Sequence, residues 1–215
     1  MRKRNLKCRI YTVKGPNHLW HADGNDKLKR YGFCIYGCID GFSRKVIWLS
    51  CTRTNKDPIL VASDFLKSIA KINAVPKILR LDRETEKTLV ADIQMLLRSE
   101  HDDSSKEIAA LFGSTNHNQR IEGFWGCLRK AVLQTYIDFF SDLIMGGLLD
   151  TSSPVELECL AFCFLLIWLH KSKTGIIEYA RQNQACYPPA FQTSFITTPQ
   201  QKHMIVLIVY CPNTY

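Results

Sequence analysis

The sequence lacks the features that define several common protein classes. No stretch reaches the roughly 18 consecutive apolar residues of a membrane-spanning helix, and the strongest apolar run, 160–169, has the length of a buried helix. The nine cysteines include no CxxC pair, no signal peptide precedes them, and no internal repeat is found. We therefore expect a soluble intracellular chain with reduced cysteines, no zinc site and no membrane partner.

Positive charge is concentrated at the amino-terminal end. The 215 residues carry a formal net charge of +8, and the first 30 positions hold nine basic residues against two acidic ones, a net charge of +7. A basic arm of this kind can follow a phosphate backbone, although a solvated tail or a nuclear-import patch has the same composition. The charge favours acidic partners, of which nucleic acid is the commonest.

Apolar periodicity and turn residues predict an α/β chain. We expect a meander of three strands, then a helix that opens at Asp57-Pro58 and ends near Asn73, and then further strands and helices in alternation. The segment 108–112 is expected to be a short strand, although its Ala pair suits a helix equally well. The strands are expected at 18–23, 33–39, 46–49 and 77–82, and the later helices at 84–99, 118–136 and 155–170.

Three acidic residues fall where a catalytic site could form. Asp23 and Asp82 lie at the ends of predicted strands, and Glu122 lies near the start of a predicted helix. Carboxylate oxygens are the ligands that Mg²⁺ prefers, and three carboxylates suffice for a two-metal phosphodiester site. With 20 acidic residues in the chain, spacing alone is weak evidence, so the local sequence contexts carry more weight.

Four segments carry these contexts. They are Trp20-His21-Ala22-Asp23, 39–44, 76–82 and 114–122. The first is similar to a W-x-x-D strand, the second to a D-x-F/Y-S-R hairpin and the last to an N-x-x-x-E helix, motifs of the integrase core of retroviral and retrotransposon-type integrases, the D,D-E branch of the RNase H-like superfamily. The resemblance covers roughly 14–150 and extends to animal integrase-core proteins that look like domesticated transposon remnants. In the hairpin Asp40 is expected to be structural.

The resemblance implies a fold and a reaction. The expected fold is α/β, an RNase H-like mixed five-stranded sheet flanked by helices, with extra carboxy-terminal helices. Asp23, Asp82 and Glu122 would be catalytic and would hold two Mg²⁺ or Mn²⁺ ions for phosphodiester hydrolysis and strand transfer on DNA. The expected organisation is a basic arm at 1–14, a catalytic core at 15–136, a helical extension at 137–173 and an irregular tail at 174–215.

Basic residues near the carboxylates are candidate DNA contacts. Arg129 follows Glu122 by seven residues and therefore lies on the same helix face, where it could hold a phosphate or simply be solvated. Trp125 is expected to belong to the core rather than to stack on a base. The full set of expected nucleic-acid contacts is Lys14, Arg120, Arg129 and Lys130.

One departure from the family pattern keeps other functions open. After Asp82 the family usually has a flexible small-residue turn with Gly, whereas this chain has Arg83-Glu84-Thr85-Glu86-Lys87. An inactive, domesticated module that binds nucleic acid or protein is therefore the alternative function, and a plain nuclease is a third. The terminal DNA-binding modules of complete integrases are not found, which suggests a core fragment.

Location and oligomeric state follow only loosely from the sequence. We expect a nuclear location, otherwise a cytoplasmic one. Related cores commonly form homodimers, and the apolar helix at 155–170 could supply a dimer surface or be buried within its own cap.

Overall fold

Five strands form one mixed sheet in the order β3-β2-β1-β4-β5. The computed structural model describes residues 13–54, 57–82, 88–99, 109–113 and 119–174. β1 and β3 each pair antiparallel with β2, whereas β4 lies parallel to both β1 and β5. The strands are β1 Leu19–Asn25, β2 Cys34–Asp40, β3 Val46–Thr52, β4 Ile78–Leu81 and β5 Ala110–Phe112. The predicted strand at 108–112, whose Ala pair also suited a helix, contains strand β5.

Helices cover the sheet and connect its parallel strands. A short 3-10 turn, Lys29–Tyr31, links β1 to β2, and a π-helical segment, Arg129–Leu133, joins two α-helices into one helical run. The α-helices are α1 Pro58–Ile72, α2 Thr88–Ser99, α3 Gln119–Leu128, α4 Gln134–Met145 and α5 Pro154–Thr174. No helix within the described ranges is long and apolar enough to cross a membrane.

The local signals for α1 and for the β2–β3 hairpin are confirmed. The Asp57 side chain caps α1 by accepting a hydrogen bond from the Ile59 N–H at 2.8 Å, and the helix ends at Asn73 in the left-handed conformation. In the hairpin, the Asp40 carboxylate accepts bonds from the Ser43 N–H and hydroxyl at 2.7 and 2.6 Å. Asp40 is therefore structural.

The two faces of the sheet bury two separate apolar clusters. α1 and α2 pack on one face around Trp20, Tyr36 and Phe65, whereas α3, α4 and α5 pack on the other face around Phe33 and Phe164. Strand residues alternate between the two clusters because successive side chains point to opposite faces. The result is a three-layer α/β architecture with α3 lying across β1 and β2.

The carboxy-terminal helices share the core of the sheet. The predicted boundary between 136 and 137 falls inside α4. The Phe164 ring of α5 lies 4.5 Å from the Phe33 ring beside β2, centroid to centroid, and Phe140 of α4 also packs against Phe33. The two helices that span most of 137–173, α4 and α5, therefore pack on the same core as the sheet, with a non-helical connection at 146–153.

Several sequence predictions lie outside the described residues. They concern 1–12 of the basic arm, the turn at 83–87, positions 114–118 of the integrase-like segment and the tail at 175–215.

Candidate active site

Two acidic residues lie level with each other on neighbouring parallel strands. β1 and β4 pair in a register that sets His21 opposite Arg80. Continuing that register by two residues brings Asp82, one residue beyond β4, level with Asp23 in β1. Both residues therefore lie towards the carboxyl ends of parallel strands, the edge at which open α/β sheets bind their ligands.

The pleat of the sheet directs both carboxylates to the same face. Trp20 and Ala22 of β1 belong to the cluster under α1 and α2, and so does Leu81 of β4. Because side chains alternate along a strand, the next residues, Asp23 and Asp82, face the other layer, where α3 lies. The α/β layering therefore brings these residues to the side that carries the third predicted carboxylate.

Glu122 reaches this edge from the first turn of α3. Its pKa is raised, first because its carboxyl is partly removed from water and second because of the negative charge of Asp23, while the positive charge of Lys27 opposes the shift. Asp23 and Glu122 thus lie close enough for their charges to interact. The sequence prediction that β1 and α3 converge here is consistent with this electrostatic coupling.

Trp125 makes a polar contact within the same group. Its indole N–H donates a hydrogen bond to Oδ2 of Asp23 at 3.1 Å, and both residues are 5% exposed. Trp125 also packs in the core against Phe124, with ring centroids 5.1 Å apart. Its expected core position is therefore correct, but the sequence did not show that its N–H would reach the carboxylate.

A cavity of about 320 Å³ opens beside these residues. Glu122 and Arg129 both line it, which matches the shared helix face that their spacing predicts. Lys27, from the loop after β1, adds a second positive charge that sequence reasoning missed. No sequence signal distinguished Lys27 from the other basic residues near the amino terminus. The complete lining is Gly24, Asn25, Asp26, Lys27, Glu122, Trp125, Gly126 and Arg129.

The other expected DNA contacts are spread over the molecule. Lys14 lies beside His18, whose pKa is lowered first by burial and then by the charges of Lys14 and Lys77. His18 precedes β1 and is five residues, or roughly 16 Å of extended chain, from Asp23. Lys14 therefore lies near the opposite end of that strand from Asp23. Lys130 is exposed on the π-helical segment.

Arg120 and Arg129 lie closer to the carboxylates. Arg120 is half-buried in the first turn of α3. Arg129 is exposed, and its Nε donates to the Gln134 side chain at 3.4 Å. The structure therefore brings Arg129 to the cavity with Glu122 but does not bring Lys14 there.

The donor chemistry fits a hard divalent cation, and the positions fit one in part. Carboxylate oxygens suit Mg²⁺ or Mn²⁺, and the repulsion between Asp23 and Glu122 has the sign that a bound cation would relieve. Asp82 lies level with Asp23, but among the residues that the structure describes no three His, Cys, Asp or Glu side chains are close enough together to hold a metal ion. Asp82 and Glu122 are thus each related to Asp23, the first by strand register and the second by charge, but the three carboxylates do not form one group of metal ligands.

The sheet contains an antiparallel meander of β1, β2 and β3 and two further strands parallel to β1, with helices on both faces. This arrangement defines an RNase H-like fold. A family model described as an integrase core domain matches residues 10–185, and the chain belongs to that family. Domains of this family generally use divalent metal ions and bind DNA. A comparison with curated proteins found no match.

Proposed function

We propose that the chain is a DNA-binding integrase core that performs metal-dependent phosphodiester hydrolysis and strand transfer, with Asp23, Asp82 and Glu122 as its catalytic and metal-binding residues. The proposal is supported by the match to the integrase core domain over residues 10–185, together with the β1–β4 register that brings Asp82 level with Asp23. When bound, two Mg²⁺ or Mn²⁺ ions would activate the attacking water or hydroxyl and stabilise the departing 3′ oxygen.

The protein's own groups supply binding and orientation. Lys27 and Arg129 line the cavity beside Glu122 and present positive charge to a phosphate, which would hold the scissile backbone next to the carboxylates. Because Arg129 is a planar guanidinium with several donors, it can contact two phosphate oxygens at once. The remaining proposed DNA contacts, Lys14, Arg120 and Lys130, would act on the backbone further from the reacting bond.

A metal titration followed by thermal denaturation tests the carboxylates. Mn²⁺ should raise the melting temperature of the wild-type chain, because a ligand that binds only the folded state stabilises it. Asp82→Asn combined with Glu122→Gln should abolish the rise. Asp92→Asn on the exposed side of α2 is a matched control for loss of an acidic side chain and should keep the rise. An equal rise in all three proteins would show that the proposed site does not bind the ion.

Cleavage and joining of oligonucleotides test the reaction itself. Wild-type protein with Mn²⁺ should both hydrolyse a DNA strand and join a 3′ end to a second duplex, and Asp23→Asn should do neither. Hydrolysis without joining would assign a plain nuclease.

An inactive binding module is the second candidate. It is favoured by the finding that no metal-binding group of three side chains lies within the described part of the chain. Such a module would bind DNA or a protein with an affinity that neither Mg²⁺ nor Asp82→Asn changes. A metal-dependent affinity that falls in this variant would exclude the module.

We also propose that a second copy of the chain is a partner. The α5 helix buries one face in the core but leaves Phe162, Leu166 and Leu169 more than half exposed, and Val155 continues this apolar stripe at a seven-residue spacing. A helix stripe of this kind can pair with an identical stripe about a two-fold axis. Light scattering should give twice the chain mass for the wild type and a monomer for Phe162→Ser with Leu166→Ser.

A nuclear location is a further proposal, supported by the basic residues at the amino-terminal end. Fluorescence microscopy of a tagged chain should show nuclear signal that is lost when Arg2, Lys3 and Arg4 are replaced by Ser.

A further inference from the structure

We propose that Trp125 is a positioning residue that fixes the orientation of the Asp23 carboxylate for cation binding. This role rests on the proposed function, in which Asp23 holds a cation. The indole N–H donates to Oδ2 of Asp23 at 3.1 Å, with both residues almost completely removed from water. A buried carboxylate needs donors, so this bond has a larger effect here than on the surface.

Burial alone does not give a tryptophan such a partner in this protein. Trp48 and Trp168 are 7% and 4% exposed, close to the 5% of Trp125. Within the described residues, the indole N–H groups of Trp48 and Trp168 have no hydrogen-bond partner, whereas that of the fully buried Trp20 donates to Oδ1 of Asn17 at 3.1 Å. Trp125 differs from these three because its acceptor is a buried carboxylate.

Gly37 makes room for the contact. It is the β2 residue paired with Asp23 across the sheet, and it is the one glycine of the strand CIYGCID. A Cβ at position 37 would lie 2.9 Å from Cη2 of Trp125 and 3.2 Å from Cδ1 of Leu49. Glycine weakens a strand interior but allows another group to approach the backbone closely. Here that group is the ring whose N–H holds Asp23.

The packing of the Trp125 ring fixes the donor. The ring packs against Phe124 and is bounded by the sheet, so its N–H does not have to be ordered when a ligand binds. Trp125 also lines the cavity together with Glu122, so the residue that holds Asp23 forms part of the wall of the proposed site.

Trp125→Phe tests the role, with Trp168→Phe as its matched control. Both variants remove the indole N–H and shrink a buried ring of the same apolar cluster, but only Trp125 donates to Asp23. Calorimetric titration with Mn²⁺ should give an affinity about tenfold or more weaker for Trp125→Phe than for Trp168→Phe, the effect typical of removing a partner of a metal ligand. Gly37→Ala, which leaves both Trp125 and Asp23 in the chain, should also weaken Mn²⁺ binding.

Equal Mn²⁺ affinities for Trp125→Phe, Trp168→Phe and the wild type would overturn the positioning role while leaving the proposed function intact. Absence of Mn²⁺ binding by the wild type itself would overturn the proposed function and this role together. The two failures are therefore distinguishable.

The hydrogen bond has its own readout that needs no metal. In NMR spectra, Asp23→Ala should shift the indole proton of Trp125 upfield and leave that of Trp168 in place. Asp23→Asn serves the same purpose if the Ala variant does not fold, because it replaces a charged acceptor by a weaker neutral one. An unchanged Trp125 resonance in a folded variant would overturn the proposal.

Discussion

Replacing the two cations of the cavity should change how DNA binding depends on salt. Lys27 and Arg129 both line the cavity beside Glu122, and under the proposed function each would contact one phosphate. The perturbation is therefore the double variant Lys27→Gln with Arg129→Gln, which removes two positive charges from the wall of the site. Lys67→Gln with Lys71→Gln removes the same charge from the exposed side of α1 and is the matched control.

The expected magnitude follows from counterion release. Each neutralised phosphate of double-stranded DNA contributes about 0.9 to the slope of log affinity against log salt concentration. Two lost contacts should therefore lower that slope by about 1.8. Between 50 and 200 mM salt the wild-type chain should lose about tenfold more affinity than the double variant loses.

Fluorescence anisotropy with a labelled DNA duplex over this salt range measures the slope directly. The Lys67/Lys71 control should keep the wild-type slope, because α1 lies on the other face of the sheet. Equal slopes for the wild type and the Lys27/Arg129 variant would refute the assignment of the cavity to a phosphate backbone. An equal reduction in the control would show that general charge, rather than these two positions, sets the affinity.

Three further changes test the fold and the electrostatics. Asp40→Ala should destabilise the chain by about 1.5–3 kcal/mol, since it removes the charged acceptor of the Asn17 and Ser43 N–H groups. It should leave Mn²⁺ affinity unchanged, and a large fall in affinity, measured by calorimetry, would contradict a structural role. The pKa of Glu122 is raised by burial and by Asp23, so its ionisation opposes folding once the pH exceeds the ordinary pKa of a glutamate. In metal-free buffer Glu122→Gln should therefore raise the melting temperature at pH 7 and not at pH 4. The same change at both pH values would be inconsistent with this coupling. Phe164→Ala should cost about 3–5 kcal/mol in urea unfolding, and a loss below about 1 kcal/mol would show that α5 is not part of the core.

Local chemistry made much of the fold predictable from the sequence. The Asp57-Pro58 start and the Asn73 end of α1 depend on hydrogen bonds and backbone preferences within a few residues, so the sequence contains the whole cause. The same holds for Asp40 in its hairpin. The predicted boundary at 136/137 was less informative, because helical periodicity continues through it and only tertiary packing shows that Phe164 reaches the sheet.

The candidate site was predictable by element but not by contact. The resemblance to the integrase core, more than spacing, singled out Asp23, Asp82 and Glu122. The seven-residue spacing predicted the shared helix face on which Arg129 and Glu122 line one cavity. The bond from Trp125 to Asp23 and the approach of Lys27 depend on the distance between α3 and β1 and on the path of a loop. Periodicity specifies which face of an element a residue occupies, but it does not specify how far that face lies from its neighbour.

The charge of Asp23 bears on whether the site is active. Burying a carboxylate opposes folding, and placing a second carboxylate nearby adds repulsion, as the raised pKa of Glu122 shows. An Asn at position 23 would still offer Trp125 an oxygen acceptor and would remove both penalties. A divalent cation between the two carboxylates would offset the repulsion, so Mn²⁺ should raise the melting temperature of the wild-type chain more than that of Asp23→Asn. An inactive module predicts the same melting temperature with and without the ion in both proteins.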